Sequence, residues 1–231
     1  MARRPIFVPV AENSAFYKEV DVEFKWNAGF APIQKKKNIT ALHQSAQQKG
    51  YEPILEVSTK SDEAIGRELS AFNLPIRLDN GRSITLECAF QGGKVFEGGG
   101  PFQDLYECSS LEAKRDGRLR ESGQLVGFEF EGHVFETEPK TAFYDWLYIK
   151  ALSDLPNIAK RLSSYAGFSD IEFNPEKSIN CQARACALFV GLSKKHSINE
   201  VIHSPEAFLR STMASSLQQP HSQDFRQQEL F

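Results

Sequence analysis

The sequence predicts one mainly helical α+β domain with a few short strands, and three observations lead there. Apolar residues recur at helical spacing in several segments, one of them apolar nearly all round. Between Val20 and Trp26, apolar and charged residues alternate with the period of a half-buried strand. No linker divides the 231 residues, a length that one sizeable core can organise. The domain is expected over residues 1–211. Residues 212–231, rich in Ser and Gln, are expected to be a disordered tail.

The elements follow in order. Arg4 to Val10 reads as extended, because Pro5 and Pro9 break any helix. Lys36 to Lys49 places Ile39, Leu42, His43 and Ala46 on one helical face, closed by Gly50, with His43 expected as a structural histidine. Tyr51 to Ser58 reads as a strand, and Ser61 as the cap of a helix reaching Leu69. Asp79-Asn80-Gly81 signals a tight turn between two short extended runs. Ile84 to Phe96 reads as a helix, and the glycine run Gly98–Gly100 as a loop whose N–H groups are suited to a phosphate. A charged helix is expected over Leu111–Glu121, then a hairpin over Leu125–Phe135 turning at Glu131-Gly132. Thr141 opens a helical region to about Ser163, interrupted near Pro156, and its apolar first half should lie deep. Phe168 to Phe173 reads as extended, and Ser178 as the cap of a helix burying Ile179, Ala183, Cys186, Ala187 and Val190.

Charge and cysteine content exclude several classes. The chain has 27 basic and 30 acidic residues, a net charge of −3, so no global field draws it to nucleic acid or membrane. Local basic runs exist at Lys35–Lys37 and at Lys114, Arg115, Arg118 and Arg120. Cys88, Cys108, Cys181 and Cys186 form no C-x-x-C pair, and the histidines are scattered, so no metal site is expected. Eighteen Phe residues point to an aromatic core. The opening residues lack a long apolar core, and no segment has the length of a membrane span, so a cytoplasmic protein is expected.

The candidate site lies between Leu69 and Gly117. Glu87, Gln91 and Lys94 stand at i, i+4 and i+7, which on a helix turning about 100° per residue aligns them on one stripe. A carboxylate, an amide and an amine then share one space. Gly92 and Gly93 weaken a helix, and imply close approach by another backbone or a ligand. In the apolar segment TAFYDWLYIKAL, Asp145 requires a structural partner or a ligand, and Trp146 is either a core residue or a platform for a base. Asp170, Glu172, Asn174, Asn180 and Gln182 cluster at a strand-to-helix turn. There, Ser178 and Asn180 suit either capping or a pyrophosphate, and Arg184 suits a phosphate.

These residues resemble the central signature of the NADAR family: Leu69, Ser70 and Phe72; Glu87, Phe90, Gln91 and Lys94; then Ala113 and Lys114. The phrases FKWNAGFAPIQKKKNI, LEVSTKS, TAFYDWLYIKAL and FSDIEFNPEKSINCQARA resemble the branch found beside DarT-type toxins. The usual closing Asp–Trp-Gly pattern is absent. The resemblance implies an antitoxin glycohydrolase that removes ADP-ribose from guanine in DNA or RNA and opposes a DarT-type toxin. It implies no cofactor, with ADP-ribose as product ligand, and no membrane partner. Its other branches imply, as an alternative, an N-glycosidase acting on a small riboflavin-pathway intermediate; a non-catalytic, toxin-binding antitoxin is a further alternative.

Within that resemblance, Glu87 is the expected general acid or base. Lys94 is an amine nucleophile if desolvation lowers its pKa, and Asp145 is a third catalytic candidate. Ser70, Phe72, Phe90, Gln91, Trp146, Asp170, Glu172, Asn180, Gln182 and Arg184 are the expected substrate-binding residues.

Overall fold

The computed structural model describes residues 1–12, 15–29 and 31–213. A long antiparallel pair opens it: β1 (Ala2–Glu12) and β2 (Ala15–Phe24), in register from Ala2 opposite Phe24 to Pro9 opposite Tyr17. Helix α1 (Pro32–Gln48) starts with proline in its first turn, where no helical N–H is required. Then come β3 (Ile54–Glu56), α2 (Ala64–Glu68), and a hairpin of β4 (Pro75–Arg77) and β5 (Ser83–Thr85) closed by the Asp79–Gly81 turn. Helix α3 (Leu86–Gly92) leads into β6 (Lys94–Phe96), a 3₁₀ turn over Gln103–Glu107, α4 (Ser110–Arg115) and α5 (Arg118–Glu121). Strands β7 (Leu125–Phe130) and β8 (His133–Phe135) form the expected hairpin, with positive φ at both Glu131 and Gly132. Last come α6 (Ala142–Ser153), α7 (Pro156–Leu162), β9 (Gly167–Ser169), α8 (Gln182–Ser193), α9 (Ile198–Ile202) and α10 (Pro205–Met213).

The main sheet has the order β2-β1-β9-β3, with β9 antiparallel to β1 and parallel to β3. Strand β9 pairs with β1 only at Ile6 and Phe7, which leaves Pro5 and Pro9 outside that short ladder. One face packs on α1 through Ile6, Val22, Phe24, Leu42 and Ala46. The other receives α8, with α6 behind it in the larger core. Beside these layers lie the β4–β5 hairpin and the three-stranded sheet β6-β7-β8.

The expectation of a mainly helical fold is overturned. The chain is a mixed α+β protein, whose strands assemble into three sheets among the described residues. Six of the strands span only three residues, too short to show an alternating pattern in sequence. Several boundaries also move, among them the following. Lys94 leaves the helix and opens a strand. Glu63, not Ser61, sits at the N-cap of α2. Helix α8 begins at Gln182 with Cys181 at its N-cap, so Ser178 caps nothing. Helix α10 carries the chain to Met213, and the remainder of the expected tail, 214–231, lies outside the described residues. No helix among the described residues is long and apolar enough to cross a membrane.

Helix α8 reaches β1 and β2 through a glycine. A Cβ on Gly191 would lie 1.9 Å from the Phe16 carbonyl oxygen. Gly191→Ala is therefore expected to destabilise the protein by about 1–3 kcal/mol or more, the cost of overpacking against backbone. Thermal denaturation checks this, and an unchanged midpoint would contradict the packing described.

Candidate functional site

Helix α3 is anchored at both ends. At its start the Thr85 hydroxyl accepts from Cys88 N–H and pairs with Ser110 Oγ at 2.7 Å, while Ser110 Oγ donates to the Phe72 carbonyl at 2.9 Å. Glu87 N–H donates to the Ala71 carbonyl at 2.9 Å, and Leu86 N–H to Leu74 at 2.9 Å. The Leu69–Leu74 loop is held from its other side as well. Tyr148 Oη donates to the Leu69 carbonyl at 2.5 Å, and Ala71 N–H donates to Gln182 Oε1 at 2.8 Å.

Glu87 and Gln91 are buried on α3, and Gln91 Nε2 donates to Glu87 Oε1 at 2.9 Å. Lys94, 9 % exposed, enters from the start of β6. Its Nζ lies 5.0 Å from the centre of the Phe90 ring, and no carboxylate is within ion-pair distance among the described residues. Burial lowers the Lys94 pKa to about 8; the Glu87 carboxylate pulls it back up, and Lys114 pushes it further down. Lys114 itself lies 5.2 Å over the half-buried Phe72 ring. Ser70 is buried in the loop beneath.

The glycines that the sequence singled out make room for protein. A Cβ at Gly92 would meet Tyr106 at 2.5 Å, and one at Gly93 would meet the Glu129 carbonyl and Phe143 at 2.8 Å each. The Gly98–Gly100 loop is not a free phosphate cradle: Gly98 N–H donates to Ser122 and Gly99 N–H to Phe96.

On the far side, Arg184 donates to both oxygens of Asp145, at 3.0 and 3.2 Å, and to the Ile179 carbonyl at 2.7 Å. Asp145 thus has a protein partner, and both members of the pair are largely buried. Asp170 is buried and bonded by Gln182 and by the N–H groups of Glu172 and Phe173. Its neighbour Glu56 accepts from Ser58 Oγ, Ser169 Oγ and Ile171 N–H. Burial, and then each other's charge in the case of Asp170, hold these two carboxyls well above the usual range.

Two expected site residues sit elsewhere. Trp146 is fully buried among Phe130, His133 and Phe135, with Nε1–H bonded to the Ile202 carbonyl, so it offers no face to a base. Glu172 is on the surface, paired with Lys35 at 2.9 Å. Asn180 is half-buried with its Oδ1 unpaired, and it lies before α8 rather than on it. Sequence reasoning missed Tyr144, which packs on Phe90, and Glu56. The signal for Glu56 was a lone acid inside the apolar run Ile54–Val57. Among the described residues no three His, Cys, Asp or Glu side chains converge as a metal requires.

A family model described as DarT1-associated NADAR antitoxin matches residues 2–222. No curated protein matches the chain.

Removing one partner of a buried ion pair leaves the other charge unmet, at a cost of about 3–5 kcal/mol. Asp145→Ala is expected to lose that much stability in urea denaturation. The double variant Asp145→Leu/Arg184→Leu should lose less, because neither charge then remains buried alone.

Proposed function

The chain belongs to the DarT1-associated NADAR antitoxin family, and on that premise we propose that it is a glycohydrolase releasing ADP-ribose from modified guanine in nucleic acid. Its partner in that role is a DarT-type toxin, whose mark it removes. The observation that supports the reading is a buried amine beside a buried carboxylate: Lys94 lies over Phe90 with its pKa lowered to about 8, and Glu87 stands in the same space.

The bond to be broken joins ribose C1 to an exocyclic nitrogen of guanine. When the sugar ring opens, its ring oxygen takes the N–H proton and C1 becomes an imine carbon. The neutral Lys94 amine adds to that carbon. The Glu87 carboxylate relays the two amine protons to the departing guanine nitrogen, and an imine between Lys94 and the sugar remains. Water then adds to C1, and one of its protons passes through Glu87 to the Lys94 nitrogen. Collapse breaks the C1–N bond to Lys94 and frees ADP-ribose, restoring both side chains. The fixed Gln91 bond orients Glu87 for both transfers. Asp145 serves by holding Arg184.

Borohydride reduction during turnover of an ADP-ribosylated oligonucleotide is expected to trap a covalent adduct on the wild type and none on Lys94→Ala. Glu87→Gln should lower turnover by about 10²–10⁴-fold. Only the unprotonated amine attacks, so with a Lys94 pKa of about 8 the rate should rise about tenfold between pH 7 and pH 9. Unimpaired release by Lys94→Ala would contradict the proposal.

A further inference from the structure

We infer that the Tyr144 hydroxyl and the Glu87 carboxylate are two sides of one subsite for a hydroxyl-bearing sugar group; naming that sugar as the ribose of ADP-ribose rests on the reading above.

Tyr144 is 6 % exposed. It packs edge-on against Phe90, with ring centres 5.2 Å apart and planes at 89°, and Phe90 is the ring beneath Lys94 Nζ. The phenol therefore belongs to the cluster that holds Glu87 and Lys94. Its hydroxyl makes no hydrogen bond among the described residues. The other tyrosines divide: Tyr106 Oη is buried with no partner, and two others are bonded. Tyr148, one turn further along α6, donates to the Leu69 carbonyl, and Tyr165 donates to Glu63 at 2.6 Å. The Tyr144 ring is buried, but the hydroxyl oxygen keeps contact with solvent and is open to a ligand rather than sealed in the core. Gln91 supplies the buried orphan: its Nε2 is given to Glu87, and its buried Oε1 has no donor. One buried acceptor and one solvent-touching phenol are thus left unmet by the protein.

Their chemistry selects the ligand group. Glu87 only accepts when ionised. Burial first, and then the nearby Glu87 carboxylate, raise the Tyr144 pKa and keep the phenol protonated and able to donate. A hydroxyl donates to the carboxylate and accepts from the phenol at the same time. A phosphate oxygen would meet repulsion from Glu87, and an ammonium would leave the phenol's proton without an acceptor. Vicinal sugar hydroxyls also offer a second donor for Gln91 Oε1.

The test is calorimetric titration of ADP-ribose into the full chain and into Tyr144→Phe, which removes one oxygen and keeps the buried ring. The expected result is about tenfold weaker binding with an unchanged melting midpoint. The variant should also lose the wild type's preference for ADP-ribose over an analogue lacking a hydroxyl on the terminal ribose. Equal affinity and equal preference in the two proteins would overturn the subsite, as would a wild type that does not bind ADP-ribose. Release from an ADP-ribosylated oligonucleotide, followed in parallel, separates the two claims. Tyr144-dependent binding without release keeps the subsite and removes the glycohydrolase. Release with binding indifferent to Tyr144 does the reverse.

Discussion

The chain leaves the helix at Gly92-Gly93, and the geometry of the candidate site depends on that change of direction. Tyr106 presses on Gly92, while the Glu129 carbonyl and Phe143 press on Gly93, so no side chain fits at either position. Glu129 N–H donates to the Gly93 carbonyl at 2.7 Å, and Lys94 then pairs with Phe128 as the first residue of β6. Strand pairing and packing, rather than an ion pair, hold the Lys94 side chain in its buried position. That is why its ammonium is easily deprotonated: desolvation is offset only by Glu87, and Lys114 works against it.

Behind the site a chain of hydrogen bonds crosses the main sheet. Ser169 Oγ donates to Glu56 at 2.6 Å, which leaves His43 Nε2 as the donor in its 2.8 Å contact with Ser169. Burial lowers the His43 pKa to about 4, so it remains neutral and structural, as its place on a half-apolar helix face suggested. From Glu56 the bonds run to Ile171 N–H; Asp170, next to it, is held by Gln182, and Gln182 holds Ala71, whose carbonyl accepts from Glu87 N–H. The catalytic candidate on α3 is thereby tied to strands β3 and β9. A buried network whose members are satisfied rigidifies what it touches.

Much of the fold was legible in the sequence, although one expected alignment rested on a helix that ends too soon. The hairpins announced themselves through Asn80-Gly81 and Glu131-Gly132, and the break in the long helical region through Pro156. Gln91 bonds Glu87 and the Glu87 charge acts on Lys94, yet the three do not stand on one helix: a seven-residue helix carries the first two and a strand carries Lys94. Three-residue strands carry too little pattern to read, which hid much of the sheet structure. Helix α6 is apolar on every side, so nothing in its periodicity could say that Tyr144 faces the site and Trp146 the opposite core. Only the tertiary packing of α3 on α6 separates the two neighbours.

An antitoxin that works by turnover differs from one that occupies its target in how many ADP-ribose groups each chain releases. A limiting amount of protein would be mixed with a large excess of guanine-ADP-ribosylated oligonucleotide, and the ADP-ribose released per protein molecule measured. Many molecules released per chain is the expected result. Release that stops at or below one per chain, while the protein still blocks the toxin in a stable complex, would contradict it.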